Sequence, residues 1–291
     1  MFTQEKPTIL DGGLSTALEE LGATLNTTLW SGELLRSNRD QIRAAHQSFA
    51  DAGAQILITS SYQISYPGCL ARGWSHEEVT DALRASTELA RITDAKVAAS
   101  VGPYGAYLAD GSEYRGNYGL SLKQLKDFHR ERLSVLISSG PDYLAIETIP
   151  DLAEAQAILE LLNELASTIP FWISFSCRNE SEISSGELFK DAVSLVIEHE
   201  YCIGVGINCT APEFIAPLME SAQSGHNFVI YPNSGRAWDA INKKWMGDQS
   251  SVFTSTQIVE WQELGAAIIG GCCGVGPADI HELASVINAS E

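Results

Sequence analysis

An alternation sustained along the whole chain constrains the fold most. Eight short apolar runs, at about 8–13, 56–63, 96–103, 143–150, 171–177, 202–209, 228–235 and 266–274, are separated by amphipathic stretches such as "DQIRAAHQSFADAG", "LKQLKDFHRERLSVLISSG" and "DLAEAQAILELLNELA". Several of these stretches end at a glycine suited to a helix C-cap. Near-continuous apolar strands joined by helices imply a parallel sheet covered by helices, because a parallel crossover needs a connection of helix length. Eight such units predict an α/β fold of the (β/α)8 TIM-barrel kind. The length of 291 residues suits one barrel, which typically needs about 250. With no linker, low-complexity tract or shift in composition, residues 1–291 read as a single domain. An open doubly wound sheet would need a glycine-rich phosphate loop after the first strand and an acidic residue about 20 positions later. "LDGGLSTALEELG" matches that pattern poorly.

In a barrel of this kind the chemistry lies where strands end at their C-termini. Read in order, the eight ends offer Asp11; Thr59, Ser60 and Gln63; Gly102; Glu147 and Thr148; Cys177; Asn208 and Cys209; Asn233 and Ser234; and Cys272 with Cys273. The last pair, in "AAIIGGCCGVGPADI", is the most unusual feature. Two thiols between glycine pairs at a strand end gain little from packing, and glycine lets backbone or ligand approach closely. A vicinal disulfide would be strained. With Cys209 the pair favours a zinc site open at its fourth position, since zinc prefers soft thiolates in tetrahedral geometry, although no CxxC framework is present. Cys202 lies seven residues before Cys209 on one strand, roughly 23 Å away when extended, and cannot share a metal with it. Cys69, Cys177 and Cys202 read as ordinary buried thiols.

Charge narrows the partners. Lys and Arg number 18 against 37 Asp and Glu, a formal net charge of −19. That balance argues against nucleic acid or an anionic membrane surface, both of which call for basic patches, and tolerates a cationic substrate. The opening "MFTQEKPTILDGG" lacks a basic region followed by an apolar one, and no apolar run reaches the ~18 residues of a membrane span. These features predict a cytoplasmic protein with its six cysteines reduced. Oligomeric state is left open.

Taken together, "DGGLSTALEELG", "GAQILITSSYQ", "SVGPYGAYLADGSEYRG", "ETIPDLAEAQAI", "GVGINC", "YPNSG" and "IGGCCG" resemble the homocysteine S-methyltransferase family, zinc-dependent barrels related to betaine-homocysteine methyltransferase. The likeness runs from Leu10 to Ile287. The "SVGPYGAYLADGSEYRG" segment is similar to the branch that uses S-methylmethionine or S-adenosylmethionine. The resemblance implies that Cys209, Cys272 and Cys273 hold zinc, and that Asp11 and Glu147 hold the amino group of homocysteine. It also implies the reaction, in which a methyl group passes from a sulfonium donor to the homocysteine thiol, giving methionine.

The residue types suit that chemistry. A homocysteine thiol is mostly protonated at neutral pH, and only the thiolate attacks a methyl group well. Zinc on three thiolates can take the substrate sulfur as fourth ligand and deprotonate it. A sulfonium donor leaves as a neutral thioether, so no general acid is needed and alignment supplies most of the rest. Carboxylates at a barrel mouth are costly unless a cation arrives. Tyr104, Tyr107, Tyr114 and Tyr118 after the third run, and Trp238 and Trp245 after the seventh, sit in long loops where aromatic faces could meet a cation; tyrosines in such loops more often anchor packing. Two other classes compete. A zinc hydrolase would use His or Asp ligands, yet His46, His76, His129, His199, His226 and His281 all fall in or beside helical stretches. A nonenzymatic thiol or zinc sensor would carry its cysteines on an exposed, movable segment.

Overall fold

The eight apolar runs form eight parallel strands that curl into a nearly closed barrel. The computed structural model describes residues 6–289 apart from 26, 28, 93, 223–224, 236, 240–243 and 247–252. In chain order the barrel strands are β1 (Thr8–Ile9), β2 (Ile56–Ile58), β3 (Lys96–Val101), β4 (Tyr143–Ile149), β5 (Phe171–Phe175), β6 (Cys202–Asn208) and β7 (Phe228–Tyr231). A two-stranded antiparallel hairpin follows, β8 (Ala237–Asp239) and β9 (Lys244–Met246), and then the last barrel strand, β10 (Ala266–Ile269). The strand order is β1-β10-β7-β6-β5-β4-β3-β2. A parallel bridge between Leu10 and Ile56 joins the two ends.

The apolar strands bury both faces, as a helix-covered parallel sheet requires. Leu144 and Ile146 of β4 pack outward in the main core, whereas Ala145, between them, joins Leu10, Ile56, Ala98, Trp172, Val229 and Ile268 inside the barrel. The period of two then points Glu147 inward at the mouth. Trp172 fills much of the interior and is fully buried. Space on β6 is correspondingly tight: a Cβ at Gly206 would stand 2.9 Å from the Val229 carbonyl oxygen and would clash with the Ser174 hydroxyl.

Every strand ends earlier than the apolar runs suggest. The first run continues to about residue 13, but β1 stops at Ile9, and the seventh and eighth runs lose their glycine- and asparagine-bearing tails. The tails turn away from the ladder to build the mouth, and that is why they carry polar residues and glycines. The hairpin of β8 and β9 lies in a stretch expected to be irregular loop; the side chains of Trp238 and Trp245 lie outside the described residues. Among the described residues no helix is long and apolar enough to cross a membrane.

Candidate metal and substrate site

Cys209 directly follows β6, and Cys272 and Cys273 lie three and four residues after β10, so two separate strand ends deliver three sulfurs to one place. The Cys209 and Cys273 sulfurs are 3.9 Å apart. Those of Cys272 and Cys273 are 4.0 Å apart. Ligands about 2.3 Å from one tetrahedral zinc stand roughly 3.8 Å apart, so both separations suit a shared ion. Cys209 and Cys272 are joined as a disulfide, with Cα atoms 5.6 Å apart. This departs from the expectation of six reduced thiols. The physical reason is the convergence itself, since a backbone that brings three sulfurs to one place also brings two of them within bonding reach. The bond runs across the barrel mouth, not between the vicinal pair, and Cys69, Cys177, Cys202 and Cys273 are free.

The backbone around the sulfurs is tightly held. Cys209 adopts φ +47°, the left-handed region, where a non-glycine residue is uncommon. Cys272 N donates to the Pro232 carbonyl at 2.8 Å, and Ser234 N donates to the Cys273 carbonyl at 3.0 Å. The "DGG" after β1 packs directly beneath: a Cβ at Gly13 would stand 2.5 Å from the Cys272 carbonyl oxygen. Gly270, two residues before Cys272, serves the same close approach of two backbones, since a Cβ there would stand 2.6 Å from the Asp11 carbonyl oxygen.

Thr148, at φ +59°, is a second strained position. Its N–H donates to Asn208 Oδ1 at 2.9 Å and its hydroxyl accepts from Asn208 Nδ2 at 2.8 Å. Asn208 is thus a clamp that ties the residue after Glu147 to the residue before Cys209.

The three cysteines line a cavity of about 690 Å³ that also takes in Ser60, Glu113, Tyr114, Glu147 and Tyr231. Glu147 accepts from the Ser100 hydroxyl and is hydrogen-bonded to the Tyr231 hydroxyl, which in turn accepts from Trp172 Nε1 at 3.2 Å. Burial pushes the Glu147 carboxyl up to about 7, against the pull of those two hydroxyls. Asp11 lies deeper and does not line the cavity. Its Oδ2 accepts from Ile58 N at 2.8 Å, while Oδ1 is buried without a hydrogen-bond partner among the described residues. Burial, and then the charge of Glu147, raise its pKa well above the usual carboxylate value.

Cys273 sits among acids. Burial, then Glu147, Glu113 and Glu19, push its thiol up to about 11. A thiolate there calls for a cation close by, which suits a metal-binding role. The other cysteines stay apart from the trio: Cys69 is buried on the Tyr66–Leu70 helix, Cys202 opens β6 at the far end, and burial raises the thiols of both to about 11. Of the loop tyrosines, Tyr104, Tyr107 and Tyr118 pack on one another or on Phe128, and Tyr114 alone of the four lines the cavity. Glu113 escaped the reading of strand ends because it lies in the loop after β3. The acid inside the quoted "DGSEYRG" was the only sign of it.

The molecule is a (β/α)8 barrel with a three-cysteine cluster, able to hold a metal ion, at its C-terminal mouth. Residues 8–287 match the family model described as homocysteine S-methyltransferase. The chain is 43% identical to homocysteine S-methyltransferase 1 of Arabidopsis thaliana over 94% of this chain and 91% of that protein. The homocysteine methyltransferase MmuM from Escherichia coli in its metallated form is 35% identical, with a TM-score of 0.85 over 97% of this chain and 96% of that one. Its oxidized form gives 35% identity and a TM-score of 0.87, covering 98% and 97%. The chain belongs to the homocysteine S-methyltransferase family, and it is a methyltransferase.

Proposed function

We propose that this protein moves a methyl group from a sulfonium amino acid, S-methylmethionine in preference to S-adenosylmethionine, to the thiol of homocysteine, giving methionine, with zinc held by Cys209, Cys272 and Cys273. The observation that carries this reading is the meeting of three cysteine sulfurs on the wall of a cavity that also presents Glu147. Zinc on three thiolates supplies the Lewis acidity that keeps a substrate thiol ionised at neutral pH. The protein supplies the rest. Glu147, fixed by Ser100 and Tyr231, receives the ammonium of homocysteine, and Asp11 adds negative charge from below. The Ser60 hydroxyl, buried at the cavity wall without a hydrogen-bond partner among the described residues, can donate to the substrate carboxylate. The closed walls around Tyr231 and Trp172 keep water from the thiolate. Because the centre needs Cys209 and Cys272 as thiols, we assign the protein to a reducing compartment, the cytoplasm.

The test is methionine formation by zinc-supplied, reduced protein at saturating homocysteine. S-methylmethionine is expected to give the highest kcat/KM, S-adenosylmethionine a value about tenfold lower, and betaine no turnover. A thioether leaves a sulfonium far more readily than a tertiary amine leaves betaine. Betaine turnover comparable to that of S-methylmethionine would overturn the donor class; a preference for S-adenosylmethionine would overturn the ranking alone.

A further inference from the structure

Four acids bear on this site, Asp11, Glu19, Glu113 and Glu147, and the proposed homocysteine contacts use only Asp11 and Glu147. Of the other two, Glu19 is exposed, whereas Glu113 lines the cavity while only 8% exposed. Its Oε2 is buried with no hydrogen-bond partner among the described residues. Leaving a buried carboxylate oxygen unmatched is costly unless a positive or donating group arrives to meet it.

The loop presents this carboxylate in a fixed place. The Glu113 carbonyl accepts from the Ser176 hydroxyl, just past β5, at 2.9 Å. On its other side, a Cβ at Gly105 would fall 2.4 Å from Glu113 N, so only glycine allows the turn after β3 to pack there. That turn is itself anchored from within. Glu154 accepts from Tyr104 N at 2.6 Å and from His129 Nε2 at 2.7 Å, and Arg132 donates to His129 Nδ1 at 2.8 Å and to the Gly102 carbonyl. The nearest cation in sequence, Arg115, reaches the Asp110 carboxylate and the Ser112 hydroxyl at 3.4 and 2.9 Å. Glu113 lines the same cavity as Cys209, Cys272 and Cys273, together with Tyr62 and Tyr114.

We propose that Glu113 is a specificity-determining residue for the methyl donor, its carboxylate pairing with the donor's sulfonium centre. This deepens the methyl-transfer reading and rests on it. In the reaction the homocysteine sulfur forms a bond to the methyl carbon, the bond from that carbon to the donor sulfur breaks, and its electron pair returns to that sulfur. The sulfonium becomes a neutral thioether and the homocysteine thiol proton goes to solvent. A cation positioned for this step must sit within a few ångströms of the cysteine cluster, in the cavity that Glu113, Tyr62 and Tyr114 also line. Because the positive charge is dispersed as the methyl leaves, the carboxylate stabilises bound donor at least as well as the transition state. Its removal should therefore appear in donor KM and not as a fall in kcat.

The experiment compares wild-type and Glu113→Gln protein, both zinc-loaded and reduced, in kinetics and in calorimetric titration with S-methylmethionine and with methionine, its neutral thioether counterpart. Loss of a buried counter-charge should raise the KM and Kd of S-methylmethionine roughly 30-fold or more. The KM of homocysteine, kcat and the Kd of methionine should stay within about threefold. A sulfonium donor lacking the amino group, dimethylsulfonioacetate, should show the same rise. An unchanged donor KM and Kd, an equal rise for homocysteine, or a rise confined to donors that carry an ammonium group would each overturn the assignment. Titration reads the site without turnover. Donor binding that depends on Glu113 in a protein without methyl transfer would uphold the assignment and defeat the reaction proposed above.

Discussion

Cys209→Ser, Cys272→Ser and Cys273→Ser are each expected to cut methyl transfer by roughly a thousandfold or more and to leave bound zinc far below one equivalent. A serine hydroxyl stays protonated where a zinc-bound thiol would ionise, and it offers a harder ligand than zinc selects. Among the described residues no fourth cysteine joins the trio, so there is no spare sulfur to take over. The barrel should survive each change. Cys272 and Cys273 are partly exposed at the mouth and Cys209 borders the cavity, so the cost to stability should stay within about 1–2 kcal/mol. Zinc content by elemental analysis, initial rates and thermal melts check the three parts separately. A variant that keeps stoichiometric zinc and full turnover would remove that residue from the ligand set.

The second large effect belongs to Glu147. Glu147→Gln preserves shape and hydrogen-bonding capacity but removes the charge, and it should raise the KM of homocysteine roughly 30-fold or more with zinc content unchanged. The sign of the pH dependence follows from its environment. Burial holds the carboxyl at about 7, and only the ionised form attracts the substrate ammonium. Homocysteine affinity should therefore improve as pH rises through about 7 in the wild type, and the Gln variant should lose that limb. Asp11→Asn should act in the same direction but less strongly, because Asp11 lies beneath the cavity and one of its oxygens is already engaged by Ile58 N. Titration of homocysteine at several pH values checks all three statements; equal affinity in wild type and Glu147→Gln would remove Glu147 from the substrate site.

The barrel was legible because apolar content alone separates a strand buried on both faces from an amphipathic helix. Each of the eight runs became a strand, from Thr8–Ile9 to Ala266–Ile269. The cysteine trio was legible for a related reason. Once strand ends are placed, Cys209 and the Cys272–Cys273 pair must share the mouth. Strand lengths were not legible, because a glycine- or asparagine-rich tail such as 232–235 reads equally well as the end of a strand or as the loop after it. Three features depend on contacts between distant segments and leave no local pattern. The Asn208–Thr148 clamp spans 60 positions, the Cys209–Cys272 bond spans 63, and the burial of Glu113 follows from packing against Ser176 and Gly105. Asp11 and Glu147 both end strands, but only three-dimensional depth separates the one beneath the cavity from the one on its wall.

In the proposed mechanism Cys209, Cys272 and Cys273 would hold zinc as thiolates and leave one coordination position for the homocysteine sulfur. X-ray absorption at the zinc edge on reduced, zinc-loaded protein counts the sulfur neighbours directly. Three sulfurs are expected in the free protein and four once homocysteine is added; a count that does not rise on adding homocysteine, or zinc bound chiefly by nitrogen and oxygen, would rule out the three-cysteine site as the place where homocysteine is activated.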